Sequence, residues 1–170
     1  MSTSTNTRIP TINEAYKLVI TSHFFLIPAL VSYFFKMYFF TITSTITSIV
    51  SINYWLYPIP GFRRDLDLIV SKTSFGIYFI NGFVCSYIPY NYTLETLIFQ
   101  TNIIPNNYRI LPSITDKTIG YTTLFCILIC YYLSDYCWKH NHKEWIYFHI
   151  LFHFFSSYEQ LFIITSLCNK

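Results

Sequence analysis

Five stretches of about 20 mostly apolar residues, the length a helix needs to cross the hydrocarbon layer of a bilayer, occupy most of the chain: 18–35, 37–57, 66–87, 119–138 and 145–167. Of its 170 residues 53% are hydrophobic and 11% charged, against about 25% charged in an ordinary soluble domain. Such a chain lacks the polar side chains to cover a water-soluble particle. The expected fold is all-α: a polytopic transmembrane helical bundle of about five membrane spans. It divides into a polar N-terminal tail, 1–17, and a single transmembrane helical domain, 18–168. The tail, "MSTSTNTRIPTINEAYK", lacks the short basic opening of a signal peptide, so the first apolar run is expected to remain as a membrane helix. The net charge of +3 is carried by scattered Lys and Arg, which argues against a nucleic-acid partner. No nucleotide is expected either.

Local signals set the joints. Lys36 is almost all that separates the first two runs, which demands a tight helical hairpin. Pro28 should distort the first helix. "YPIPG" stops the second. Between the third and fourth runs, "LETLIFQTNII" (94–104) is too short to span and reads as interfacial or re-entrant. Lys and Arg favour the cytoplasmic side. Arg8, Lys17, Arg63, Arg64, Lys72, Lys139 and Lys143 fall on one side of a five-span layout; Lys36, Arg109, Lys117 and Lys170 fall on the other. The N-terminus is therefore expected inside, which leaves the sequon Asn91-Tyr92-Thr93 outside. The five cysteines include no CxxC pair and sit largely in apolar runs, where Cys packs as a small hydrophobe.

Three runs carry polar residues at helical spacing. In the second, Ser44, Ser48, Ser51 and Trp55 share a face. In the third, Asp67, Ser71, Ser74, Tyr78 and Asn81 do so. In the fifth, His149, His153, Ser156 and Gln160 form a narrow stripe, with Glu159 to one side. Lipid offers polar groups no partner, so the stripes should face the bundle interior. The topology brings the end of the second run to the starts of the third and fifth, so Ser51, Asp67, His149 and His153 should lie at similar depth, with His23 and Asp135 near. Two histidines four apart can bind one metal together. They cannot supply both axial ligands of one haem, so none is expected. Hydrogen-bonded core histidines are the other reading of the pair. His140 and His142, in "KHNHKEW", read as solvated.

These pieces resemble the CREST superfamily of membrane proteins, which includes alkaline ceramidases and adiponectin-type receptors. The family pattern is a Ser followed one helical turn later by His, an Asp near the start of the next helix, and HxxxH in the last. "SINYW" resembles the first element with Ser51; "RRDLDLIV" resembles the second with Asp67 (or Asp65); "HILFH" resembles the third with His149 and His153. The resemblance implies a zinc ion on His149, His153 and Asp67, with Ser51 and Asp67 as the catalytic groups beside metal-bound water. Trp55 and Tyr78 would be the substrate contacts, and the substrate a lipid amide or ester entering from the bilayer. The chain departs from the pattern in having Trp55 where the family has a His, and five spans where the family usually has seven. The alternative is a non-enzymatic structural, assembly or interaction protein whose stripes are packing seams. A third reading is a proton or ion path through Asp67, Glu159 and His153.

Overall fold

The computed structural model of the chain describes residues 9–87 and 114–168. Among them are five helices and no strand: α1 (Ile12–Phe34), α2 (Tyr38–Leu56), α3 (Phe62–Tyr87), α4 (Ile114–Lys139) and α5 (Trp145–Cys168). They match the five apolar runs one for one, with α1 and α4 starting six and five residues earlier than expected. Helices α1 and α4 are long and apolar enough to cross a membrane. Segment 94–104, the sequon at Asn91 and Arg109 lie outside the described residues.

Helix α1 begins within the stretch expected as a polar tail, because Thr11 and Glu14 form a capping box. The Glu14 N–H donates to Thr11 Oγ1 at 3.3 Å, and the Thr11 N–H donates to Glu14 Oε2 at 2.8 Å, satisfying two donors at the helix start. The other Glu14 oxygen, Oε1, accepts from the Trp145 indole at 3.2 Å. The first turns of α1 and α5 are thereby tied together.

The distortion expected at Pro28 takes the form of a tightened 3-10 turn, His23–Phe25, inside α1. Proline has no N–H to offer the carbonyl four residues back, which is that of Phe24. Ser157 of α5 donates to that carbonyl at 2.7 Å. In the same region Ser48 of α2 donates to the carbonyl of Ser22 at 2.9 Å. The irregular turn is thus held from both sides by neighbouring helices.

Both short helical hairpins close with the same device. Lys36 adopts φ +58° while the Met37 N–H reaches back to the Ser32 carbonyl at 2.8 Å. Asn141 adopts φ +58° while the His142 N–H reaches the Cys137 carbonyl at 2.8 Å. A left-handed residue after the last turn satisfies carbonyls that the helix leaves open. Asn tolerates this conformation; Lys is strained in it.

Helix α5 packs against α1, α3 and α4, and α2 packs against α1 and α3. Leu18, Tyr54, Trp55, Cys137, Trp145 and Ile146 form an apolar cluster near the α5 start; Met37, Phe40, Tyr78, Ile163 and Ile164 form another toward its end. Between them the interior is polar: about as many polar as apolar side chains are buried, including Ser44, Ser48, Ser51, Asn81, Ser156 and Gln160. The outside is correspondingly apolar, with Ile42, Ile46 and Ile49 exposed on α2 and Phe125, Leu128 and Tyr132 on α4. Soluble domains bury mainly apolar residues; small hydroxyl residues between helices and aliphatic residues outside suit a lipid surround.

Replacing Lys36 with Gly removes the left-handed strain and is expected to stabilise the protein by about 1 kcal/mol, whereas Lys36→Val destabilises it. Reversible unfolding in detergent micelles, followed by helical circular dichroism, measures both.

Candidate functional site

The three polar stripes expected from helical spacing face inward and meet. On α2, Ser44, Ser48, Ser51 and Trp55 are all buried. On α3, Asp67, Ser74, Tyr78 and Asn81 are buried and Ser71 is half-buried. On α5, His153, Ser156 and Gln160 are buried, and His149 is half-buried.

The stripes form separate hydrogen-bonded groups rather than one cluster. Ser51 donates to Asp67 Oδ1 at 2.7 Å, joining α2 to α3. Further along, Ser44 lies 2.6 Å from the Tyr78 hydroxyl and donates to Gln160 Oε1 at 3.0 Å, joining α2, α3 and α5. The Tyr78 hydroxyl also lies 3.4 Å from the Phe40 carbonyl. Tyr78 is therefore placed by the helix packing whatever else it contacts.

The histidines take their partners from helices outside the three stripes. His149 Nδ1 is 3.1 Å from Ser134 Oγ on α4, and His153 Nδ1 is 3.1 Å from Thr21 Oγ1 on α1. The two rings are edge to face, with centroids 4.8 Å apart. Bonding at Nδ1 leaves Nε2 as the atom that each ring could offer a metal. Trp55, where the resemblance would expect a His, arrives at the pair with an indole: its ring lies 5.2 Å from His149 and 6.4 Å from Trp145. The Trp55 Nε1–H is buried with no hydrogen-bond partner, and an indole nitrogen is a donor only.

Among the described residues no three His, Cys, Asp or Glu side chains come together to hold a metal ion. Asp135 pairs with Lys139 at 2.6 Å on the α4 surface. His23 is exposed, with Nδ1 2.8 Å from the Val19 carbonyl. His140 and His142 are exposed, as expected. Cys126, Cys130 and Cys137 are free thiols; Cys130 and Cys137 are buried.

Spacing did not single out Thr21, Ser22, Ser134 or Ser157, which complete the interior bonds. For Thr21 and Ser22 the signal lies in α1: Leu18, Thr21, Ser22, Phe25, Ala29 and Ser32 recur at three and four residues and are all buried. That pattern is a polar-dotted face rather than an apolar one.

A second feature lies beside the histidines. A cavity of about 100 Å³, within a larger recess that is partly open, is bordered by Ser74 and Tyr78 of α3 and by His153, Ser156, Glu159 and Gln160 of α5. Residues of α4 close another side. Ser51, Asp67, Trp55 and His149 do not border it. No family model, curated protein or solved structure matches the chain.

Removing the Ser51 hydroxyl leaves a buried carboxylate short of a donor. Ser51→Ala is expected to cost about 1–3 kcal/mol. A double-mutant cycle with Asp67→Ala, read by detergent unfolding, should return a favourable coupling between the two; additive losses would show that the contact contributes nothing.

Proposed function

We propose that the chain is an integral membrane protein of about five spans with a cytoplasmic N-terminus. In this reading its CREST-like layout has lost the metal chemistry of the hydrolases, and it acts by binding or assembly within the bilayer. Membrane residence is supported by the length and apolarity of α1 and α4 and by the polar interior and apolar exterior of the bundle. Orientation rests on the distribution of Lys and Arg.

The observation that carries the non-hydrolytic reading is Trp55. A catalytic zinc site needs three protein ligands and an open position. The indole occupies the third ligand's position against His149, and Asp67 is bonded to Ser51. Among the described residues no third His, Cys, Asp or Glu joins the two imidazoles, so a resident zinc ion lacks the three ligands it needs here. Bonded to hydroxyls of α1 and α4, the histidines serve as cross-links between helices. Polar groups buried in a membrane bundle are stable in that role.

Zinc per chain in detergent-purified protein tests this reading. We expect sub-stoichiometric zinc in the wild type and in the His149→Ala/His153→Ala double variant alike. Trp55→His, which restores an imidazole at the family's position, should gain zinc that His149→Ala removes. Near-stoichiometric zinc in the wild type, lost in the double variant, would overturn the reading in favour of a metal-dependent lipid amide or ester hydrolase.

A further inference from the structure

Four buried side-chain atoms among the described residues have no hydrogen-bond partner: Trp55 Nε1, Ser74 Oγ, Ser156 Oγ and Glu159 Oε2. Three of the four belong to residues that border the cavity between α3, α4 and α5. Ser74 and Ser156 are more than nine-tenths buried, at 3% and 8% exposure. Ser156 and Glu159 are three apart on α5 and share a face, and Ser74 approaches from α3. Buried polar atoms in native proteins almost always have partners, so three orphaned oxygens at one cavity point to a ligand that bonds them.

We propose that this cavity binds the ammonium head of a lipophilic primary amine, with Glu159 as its counter-ion and Ser74 and Ser156 as neutral acceptors. A primary ammonium carries three donors and no acceptor, the complement of three oxygens of which one belongs to a carboxylate. An alcohol has a single donor, and a carboxylate ligand would meet Glu159 as a like charge. The remaining wall is largely aromatic, including Phe75, Phe79, Phe152 and Phe162, and ring faces attract cations while packing against an alkyl chain. Asp116 and Lys117 also border the cavity and offset each other in charge. His153 Nδ1 is engaged with Thr21. The volume suits a head group and a few carbons, since a cavity of about 150 Å³ holds benzene; the rest of the chain would leave through the open side. This inference rests on the cavity and not on the reading of the histidine pair.

Calorimetric titration of the detergent-solubilised full chain with hexylamine, hexan-1-ol and hexanoate is the test, with empty micelles as the blank. Hexylamine should bind saturably and, from the strength of a charge-assisted hydrogen bond, about tenfold or more tighter than hexan-1-ol; hexanoate should not bind. Glu159→Gln keeps the side chain's size and should weaken hexylamine about tenfold or more while leaving hexan-1-ol unchanged. Ser74→Ala should weaken hexylamine by a smaller factor, and the exposed Tyr132→Phe should have no effect. Helical circular dichroism confirms that each variant is folded. Equal affinity for amine and alcohol, unaltered hexylamine binding in Glu159→Gln, or heats matching the micelle blank would overturn the proposal.

Discussion

The missing N–H of Pro28 is the constraint around which the bundle is assembled. It leaves a carbonyl in the middle of α1 without its helical partner, at a place where an unsatisfied backbone group costs several kcal/mol in an apolar surround. Ser157 of α5 meets that carbonyl at Phe24, and Ser48 of α2 meets the neighbouring one at Ser22. Both hydroxyls sit on short side chains, so each fixes a close approach of two backbones. Thr21, just before this stretch of α1, lies against His153, so the seating of α1 also fixes one partner of the histidine pair.

This dependence explains what could and could not be read from the residues alone. The five helices follow from hydropathy and from punctuation at Lys36 and at the YPIPG stretch. The inward faces of α2, α3 and α5 follow from helical spacing, because a polar stripe in an apolar run has one place to go. Convergence of Ser51 on Asp67, and of the Trp55 position on His149, follows from order and alternation of direction. The partners of the histidines do not follow. Thr21 lies on a face of α1 that mixes hydroxyl and apolar residues, Ser134 is an isolated hydroxyl of α4, and many Ser and Thr in apolar helices simply bond their own preceding turn, as Thr43, Thr118 and Thr123 do. Choosing among them requires the rotation of each helix, which is set by packing. The start of α1 was hidden for a related reason: Thr11 and Glu14 extend the helix through polar sequence by capping, where hydropathy has no voice.

Trp55 shows how one side chain decides what the histidine pair could do. A His at this position would place a third nitrogen beside the pair; an indole places a ring and a donor that cannot ligate. The ring is not idle. Together with Tyr54 and Trp145 it belongs to the apolar cluster at the start of α5, and Trp145 in turn binds Glu14. Trp55 therefore contributes packing rather than a ligand at the end of the bundle where α1, α2, α4 and α5 come together. Ser51 and Asp67 retain their mutual bond one turn away, which holds α2 to α3 without any metal.

The interior divides into two regions by how completely its polar atoms are satisfied. Along the contacts of α2 with α1, α3 and α5, hydroxyls and amides pair off: Ser48 with Ser22, Ser51 with Asp67, Ser44 with Tyr78 and Gln160. On the side where α3 and α4 flank α5, Ser134 pairs with His149, but Ser74, Ser156 and Glu159, which border the cavity, each keep an unbonded oxygen. If hydroxyls were present only to let helices approach, the residues on the open side would be expected to be as well paired as the others. A carboxylate among them is the harder case, since in an apolar surround it demands either a proton or a cation. The first region accounts for cohesion of the bundle; the second has room for a guest and chemistry that a donor-rich head group would complete.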